Sequence, residues 1–161
     1  MRRALRFTFY IVPLLLWMCV IFYMSNSSSS GEHSYRVIKR LLNWMAPGSA
    51  EELSYPSLHA IEYIMRKMSH VSEYAILTFL GLRAIHYGRP DLSYKHIGIA
   101  TGFAFLYALS DEIHQIFVPG RSGLGRDVLI DGIGIGIVVL PTLFWRVHRL
   151  IDNSLTDSQS S

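Results

Sequence analysis

The chain has 161 residues, half of them hydrophobic and 17% charged, with a net charge of +3. That length makes one domain, and a mean hydropathy of +0.27 points to the bilayer as solvent rather than to a water-soluble fold. The small positive excess argues against a nucleic-acid surface, since arginines beside lipid headgroups account for it, and a lone cysteine, Cys19, excludes an intramolecular disulfide or a multi-cysteine metal site.

Phe7 to Met24 carries no charge and approaches the roughly 20 residues that a spanning helix needs. The basic start (Arg2, Arg3, Arg6) resembles a secretory signal, but the apolar run is long and lacks a clean small-residue cleavage site, so a retained anchor is expected. A long loop from Ser25 to Lys67 follows. Within it, Val37, Ile38, Leu41, Leu42, Trp44 and Met45 recur with helical spacing opposite Arg36, Lys39 and Arg40, which predicts an interfacial amphipathic helix ended by Pro47-Gly48. A weaker periodic stretch, Ser57 to Met68, reads as a surface helix leading into the second crossing.

Further crossings are expected at about 68–87, 96–113 and 128–146, giving an all-α integral membrane four-helix bundle over 1–150 and a disordered polar tail at 151–161. Gly132 and Gly136, four residues apart, are expected to let a neighbouring helix backbone approach closely. With four crossings both termini lie on one side, and a slight excess of Lys and Arg in the segments on that side predicts cytoplasmic termini.

Connectivity then locates the polar groups. In an up-and-down bundle the end of the first crossing, the start of the second, the end of the third and the start of the fourth share one membrane face. Ser25 and Asn26, then Arg66, Lys67, His70, Glu73 and Tyr74, then Asp111, Glu112, His114 and Gln115, then Arg121, Arg126, Asp127 and Asp131 are therefore expected to gather there. His70, Glu73 and Tyr74 stand at i, i+3 and i+4, as do Asp111, His114 and Gln115, while Asp127 precedes Asp131 by one turn, so three helix faces are expected to converge. Ionisable groups held at a bilayer are costly and usually functional. Arg83, His86, Arg89, Lys95 and His96 at the opposite face read as flanking anchors.

The layer admits three uses. As a binding site, Lys67, Arg121 and Arg126 meet anionic groups by charge-assisted hydrogen bonds. As an acid/base enzyme, His70, Glu73, Asp111 and Glu112 are the catalytic candidates, with Tyr74, His114, Gln115, Arg121, Asp127 and Asp131 around the substrate. As a scaffold, the layer ties helix ends together or contacts another membrane protein. A metal ion held by His70 and Glu73 with Asp111, Glu112 or His114 is a weak signal, because the paired Glu-x-x-His motifs of di-metal bundles are missing; no metal and no cofactor are expected.

Asp111-Glu112-x-His114-Gln115, then Pro119-Gly120-Arg121 and Asp127 before a glycine-containing helix, resembles the VanZ-like family of small four-helix membrane proteins. Lys67-x-x-His70-x-x-x-Tyr74 and Phe22-Tyr23-x-Ser25 fit the same pattern, so the resemblance covers nearly residues 7–146. Two positions depart from it: Arg66 where the family commonly has Asp, and Asp131 where it commonly has Asn. Their opposite charges are expected to compensate each other. The resemblance implies a bacterial inner-membrane protein associated with tolerance to glycopeptide or lipopeptide antibiotics of the teicoplanin type. The implied partners are membrane lipids and a lipid-linked precursor or lipoglycopeptide.

Overall fold

In a computed structural model of the chain, residues 2–26, 30–48, 53–87, 92–119 and 125–159 are described, and they form five helices and no strand. These are α1 (Arg2–Ser25), α2 (Ser30–Met45), α3 (Tyr55–His86), α4 (Tyr94–Ile116) and α5 (Gly125–Gln159). α3 packs against α5, α4 lies against both, α1 lies on α3 and α4, and α2 rests chiefly on α3.

Local chemistry sets the helix limits. Ser54 with Pro56 in the first turn opens α3, and Tyr87, in the left-handed region at φ 43°, ends it by donating its N–H to the Arg83 carbonyl at 3.1 Å. The weak periodic stretch at 57–68 is thus no separate surface helix. Nothing between it and the predicted second crossing breaks the backbone ladder, so the two form one rod of 32 residues, about 48 Å long at 1.5 Å per residue. α4 begins with a capping box: Ser93 Oγ accepts from the His96 N–H at 3.3 Å, and His96 Nδ1 accepts from the Ser93 N–H at 3.2 Å. His96 is therefore a helix cap rather than a simple flanking anchor. At the other end α5 continues through 152–159, where a disordered tail was expected; the stretch holds no glycine or proline, and extending an existing helix is far cheaper than nucleating one.

α4 presents Ala100, Ala104 and Ala108, all fully buried, at four-residue spacing, and the stripe continues onto Glu112. Small side chains let α3 and α5 close in around Tyr74, Leu77 and Ile135. The close approach between α3 and α5, however, is made by Gly134. A Cβ there would collide with the Val71 carbonyl oxygen, whereas Gly132 and Gly136 have nothing within 4 Å of theirs and line an outward groove with Leu129, Ile133 and Leu140. Gly132 and Gly136 therefore do not make the expected close approach: the helix is rotated so that the glycine between them faces the neighbour. α1 is tied in by two long-range bonds: Trp17 Nε1 donates to the Glu73 carbonyl at 3.0 Å, and Tyr107 Oη donates to the Met18 carbonyl at 2.8 Å.

Phe7–Ser25 and Gly125–Leu150, with mean hydropathies of 2.1 and 2.0, are long and apolar enough to cross a membrane. The exterior is as apolar as the core, and a polar layer is buried at one end of the bundle. Leu16, Phe22, Phe79, Phe105, Leu106, Ile133, Leu140 and Phe144 face outward, while Thr78, Asp111, Glu112, Gln115, Asp127 and Asp131 are buried.

Candidate functional site

The polar groups come together at the end of the bundle where α1 finishes, α4 finishes and α5 starts. On α3, the face carrying His70, Tyr74 and Thr78 at four-residue intervals points inward; on α4 it is Asp111, Glu112 and Gln115; on α5 it is Asp127 and Asp131. Ser25 adds a buried hydroxyl from the end of α1. Helical repeat alone accounts for this, because each set lies on the continuation of a stripe that packs the core below it.

Three pairings organise the layer. Lys67 forms an ion pair with Asp127, which sits in the first turn of α5 where the helix dipole also favours a carboxylate. His70 Nδ1 lies 3.1 Å from Asp131 Oδ1, both side chains being buried. Gln115 Nε2 donates to Asp111 Oδ2 at 2.9 Å within α4. The first two bonds cross from α3 to α5, so the helix pair brought close at Gly134 is also the pair joined by charge. Asp131 meets His70 rather than Arg66, which corrects the expected compensation between the two departures from the family pattern: position 70 projects inward, and position 66, one turn earlier, is only half-buried.

His70, Glu112 and Asp131 form the tightest cluster. Each offers a nitrogen or carboxylate oxygen, and these atoms lie within 4.8 Å of one another in side chains exposed by only 5%, 4% and 0%. Asp131 Oδ2 and Asp127 Oδ2 have no hydrogen-bond partner among the described residues, and neither does the hydroxyl of Tyr74, itself fully buried.

Other sequence candidates stand further out. Glu73 is half-buried beside α1, and His114 is half-buried with its ring 4.9 Å from that of Phe22. His114 shares the spacing of Asp111 and Gln115 but is turned toward α1. Arg126 is exposed, since it precedes the inward Asp127 by one position and so points elsewhere around the helix. Arg121 lies outside the described residues.

The family model VanZ/LLP1 matches residues 9–146, a span that includes every one of these groups. The chain belongs to the VanZ/LLP1 family. No curated protein and no solved structure matches it. Membership supports a membrane-associated protein linked to antibiotic resistance, and the two long apolar helices are consistent with that.

One feature of this VanZ/LLP1 chain was missed in the sequence. At the opposite end of the bundle, a cavity of about 600 Å³ opens between α3 and α5. Phe79, Leu82 and Val138 form its apolar floor, and Arg83, His86, Arg146 and Arg149 its basic margin. Arg83 stacks on Phe9 and Arg149 on Trp145, while Arg146 donates to the Leu92 carbonyl. The available signal was two basic pairs at i, i+3, Arg83/His86 and Arg146/Arg149, which connectivity places at the same face.

Proposed function

We propose that the chain is a four-crossing protein of the bacterial inner membrane, with cytoplasmic termini, whose polar layer engages the head of an amphiphilic cell-envelope molecule and so lowers sensitivity to glycopeptide or lipopeptide antibiotics. α1 and α5 meet the length and hydropathy of a span. α3 and α4 are the other two crossings: His70, Thr78, Asp111, Glu112 and Gln115 are turned inward, and Ile76, Phe79, Ile99, Phe105, Leu106 and Leu109 on their outer surfaces suit lipid tails. α2, with Trp44 and Met45 outward, suits the headgroup region.

The observation that carries the reading is the gathering of His70, Glu112 and Asp131 from three helices into one buried cluster. Helix association in a membrane needs only hydrogen bonds worth about 0.6 kcal/mol on average, which Thr, Ser or Asn supply without the cost of a buried charge. The test is expression of wild type, Glu112→Gln and His70→Ala in a sensitive host, with antibiotic susceptibility and membrane protein level both measured. Loss of tolerance at unchanged protein level supports a working site. Full tolerance in both variants, or loss that tracks loss of protein, refutes it. Incubating purified protein with a labelled lipid-linked precursor or lipoglycopeptide then separates retention from a changed product mass, and so binder from enzyme.

A second reading is favoured by the basic cavity. An amphiphile with an anionic head and apolar tail would place the head among Arg83, Arg146 and Arg149 and the tail over Leu82 and Val138. In that case Arg146→Ala removes tolerance and Glu112→Gln leaves it.

A further inference from the structure

We infer that His70, Glu112 and Asp131 form a binding site for one divalent transition cation, zinc being the best match. The inference deepens the reading of the polar layer as the working site, but it is measured independently of antibiotic tolerance.

The donor set is one imidazole nitrogen and two carboxylate groups, a mixture that suits cations of borderline hardness better than magnesium or calcium, which favour oxygen alone. In a tetrahedral zinc site with ligand bonds of about 2.0–2.2 Å, neighbouring donor atoms stand roughly 3.3–3.6 Å apart. His70 Nδ1 and Asp131 Oδ1 are already 3.1 Å apart, and all three donor atoms lie within 4.8 Å of one another. Closing the remainder takes a shift of about 1 Å, which terminal carboxylate torsions supply because their rotamer wells are broad.

Two further observations point into the same place. Asp131 is fully buried, and its second carboxylate oxygen has no hydrogen-bond partner among the described residues. Burying a carboxylate without satisfying it is costly, and a cation satisfies it. The hydroxyl of the fully buried Tyr74, one turn after His70 on the same inward face of α3, is likewise without a partner among the described residues. Three protein ligands and one open position are the arrangement of zinc sites that hold an exchangeable water or substrate oxygen. The Asp111–Gln115 bond on the same helix face as Glu112 braces the carboxylate-bearing turn of α4.

The spacing rules used on sequences look for two ligands on one helix, which is why this set escapes them. Here each ligand comes from a different helix. His70 comes from α3, Glu112 from α4 and Asp131 from α5.

The test uses the full chain with Cys19→Ser, which removes the exposed thiol as a competing zinc ligand. The protein is purified in detergent without added metal or chelator for elemental analysis. It is then stripped and titrated with zinc alone by calorimetry. The expected result is uptake of about one zinc per chain, with affinity lowered at least tenfold in Asp131→Asn and in Glu112→Gln and unchanged in His59→Ala, which breaks the partly exposed His59–Glu62 pair. Absence of uptake, or uptake unaffected by both site variants, overturns the inference. Should either variant fail to elute as a single species, cobalt(II) bound to the Cys19→Ser protein decides: visible bands of four-coordinate nitrogen and oxygen ligation support the site, and their absence overturns it. Tolerance that depends on Glu112 in a protein that takes up no zinc sinks only the ion; a protein that holds zinc yet confers tolerance regardless of Glu112 sinks only the proposed function.

Discussion

Replacing Gly134 by alanine probes the contact that holds the polar layer together. The added Cβ would meet the Val71 carbonyl oxygen head-on and would stand 3.0 Å from the Val71 carbonyl carbon and 3.1 Å from the Ala75 nitrogen. Ordinary carbon contacts lie near 3.5–4.0 Å, so α3 and α5 must part by about 1 Å. All three obstacles are backbone atoms, so no side chain can rotate out of the way. Overpacking costs about 1–3 kcal/mol and rigid backbone obstacles place this collision in the upper part of that range, at about 2–3 kcal/mol; the better helix propensity of alanine returns about 1 kcal/mol, leaving a net loss of about 1–2 kcal/mol. Gly132→Ala and Gly136→Ala meet nothing within 4 Å and keep only the propensity gain. In thermal unfolding of the detergent-solubilised protein followed by circular dichroism, Gly134→Ala is expected to lower the midpoint by several degrees, at about 2–4 °C per kcal/mol. The two flanking variants are expected to hold it or raise it. A neutral Gly134→Ala, or a Gly132→Ala equally damaging, refutes the α3–α5 packing.

Three further outcomes are expected. Asp127→Ala leaves the Lys67 ammonium without its carboxylate partner and is expected to destabilise by about 3–5 kcal/mol in chemical unfolding, whereas Lys67→Met combined with Asp127→Leu costs much less; equal losses in single and double variants would deny the pair. Ser93→Ala removes half of the capping box of α4 and is expected to cost about 1 kcal/mol, read as a lower thermal midpoint, and an unchanged midpoint would show that the cap is idle. Tyr107→Phe deletes the bond to the Met18 carbonyl and is expected to cost about 0.6 kcal/mol while speeding amide exchange in α1; unaltered exchange there would place α1's anchorage elsewhere.

The helices and the convergence of their polar faces were legible because hydrocarbon-length runs and i, i+3, i+4 spacing are local properties of the chain. Lys67, His70, Tyr74, Asp111, Glu112, Gln115, Asp127 and Asp131 all followed from chain connectivity and helical repeat. What was not legible depends on rotation about each helix axis. Periodicity says that Gly132 and Gly136 share a face, yet only packing decides that Gly134 meets α3, and the same applies to His114 turning toward Phe22 and to Arg126 facing out. The role of His96 was hidden because capping boxes are usually sought as Glu or Gln at the third position. The basic cavity was hidden because each of its arginines, taken alone, is what flanks any membrane helix.

The central claim is that titratable side chains from α3, α4 and α5 meet in one buried layer at one end of the bundle. An experimental density map of the protein in a lipid nanodisc measures this most directly. The nitrogen of His70 and the carboxylates of Glu112 and Asp131 are expected within about 5 Å of one another, a radius that still permits charge-assisted bonding after small torsional shifts, at a single membrane depth and out of contact with lipid tails. Finding any of the three on the lipid-facing surface, or at the level of the opposite leaflet, would contradict the claim.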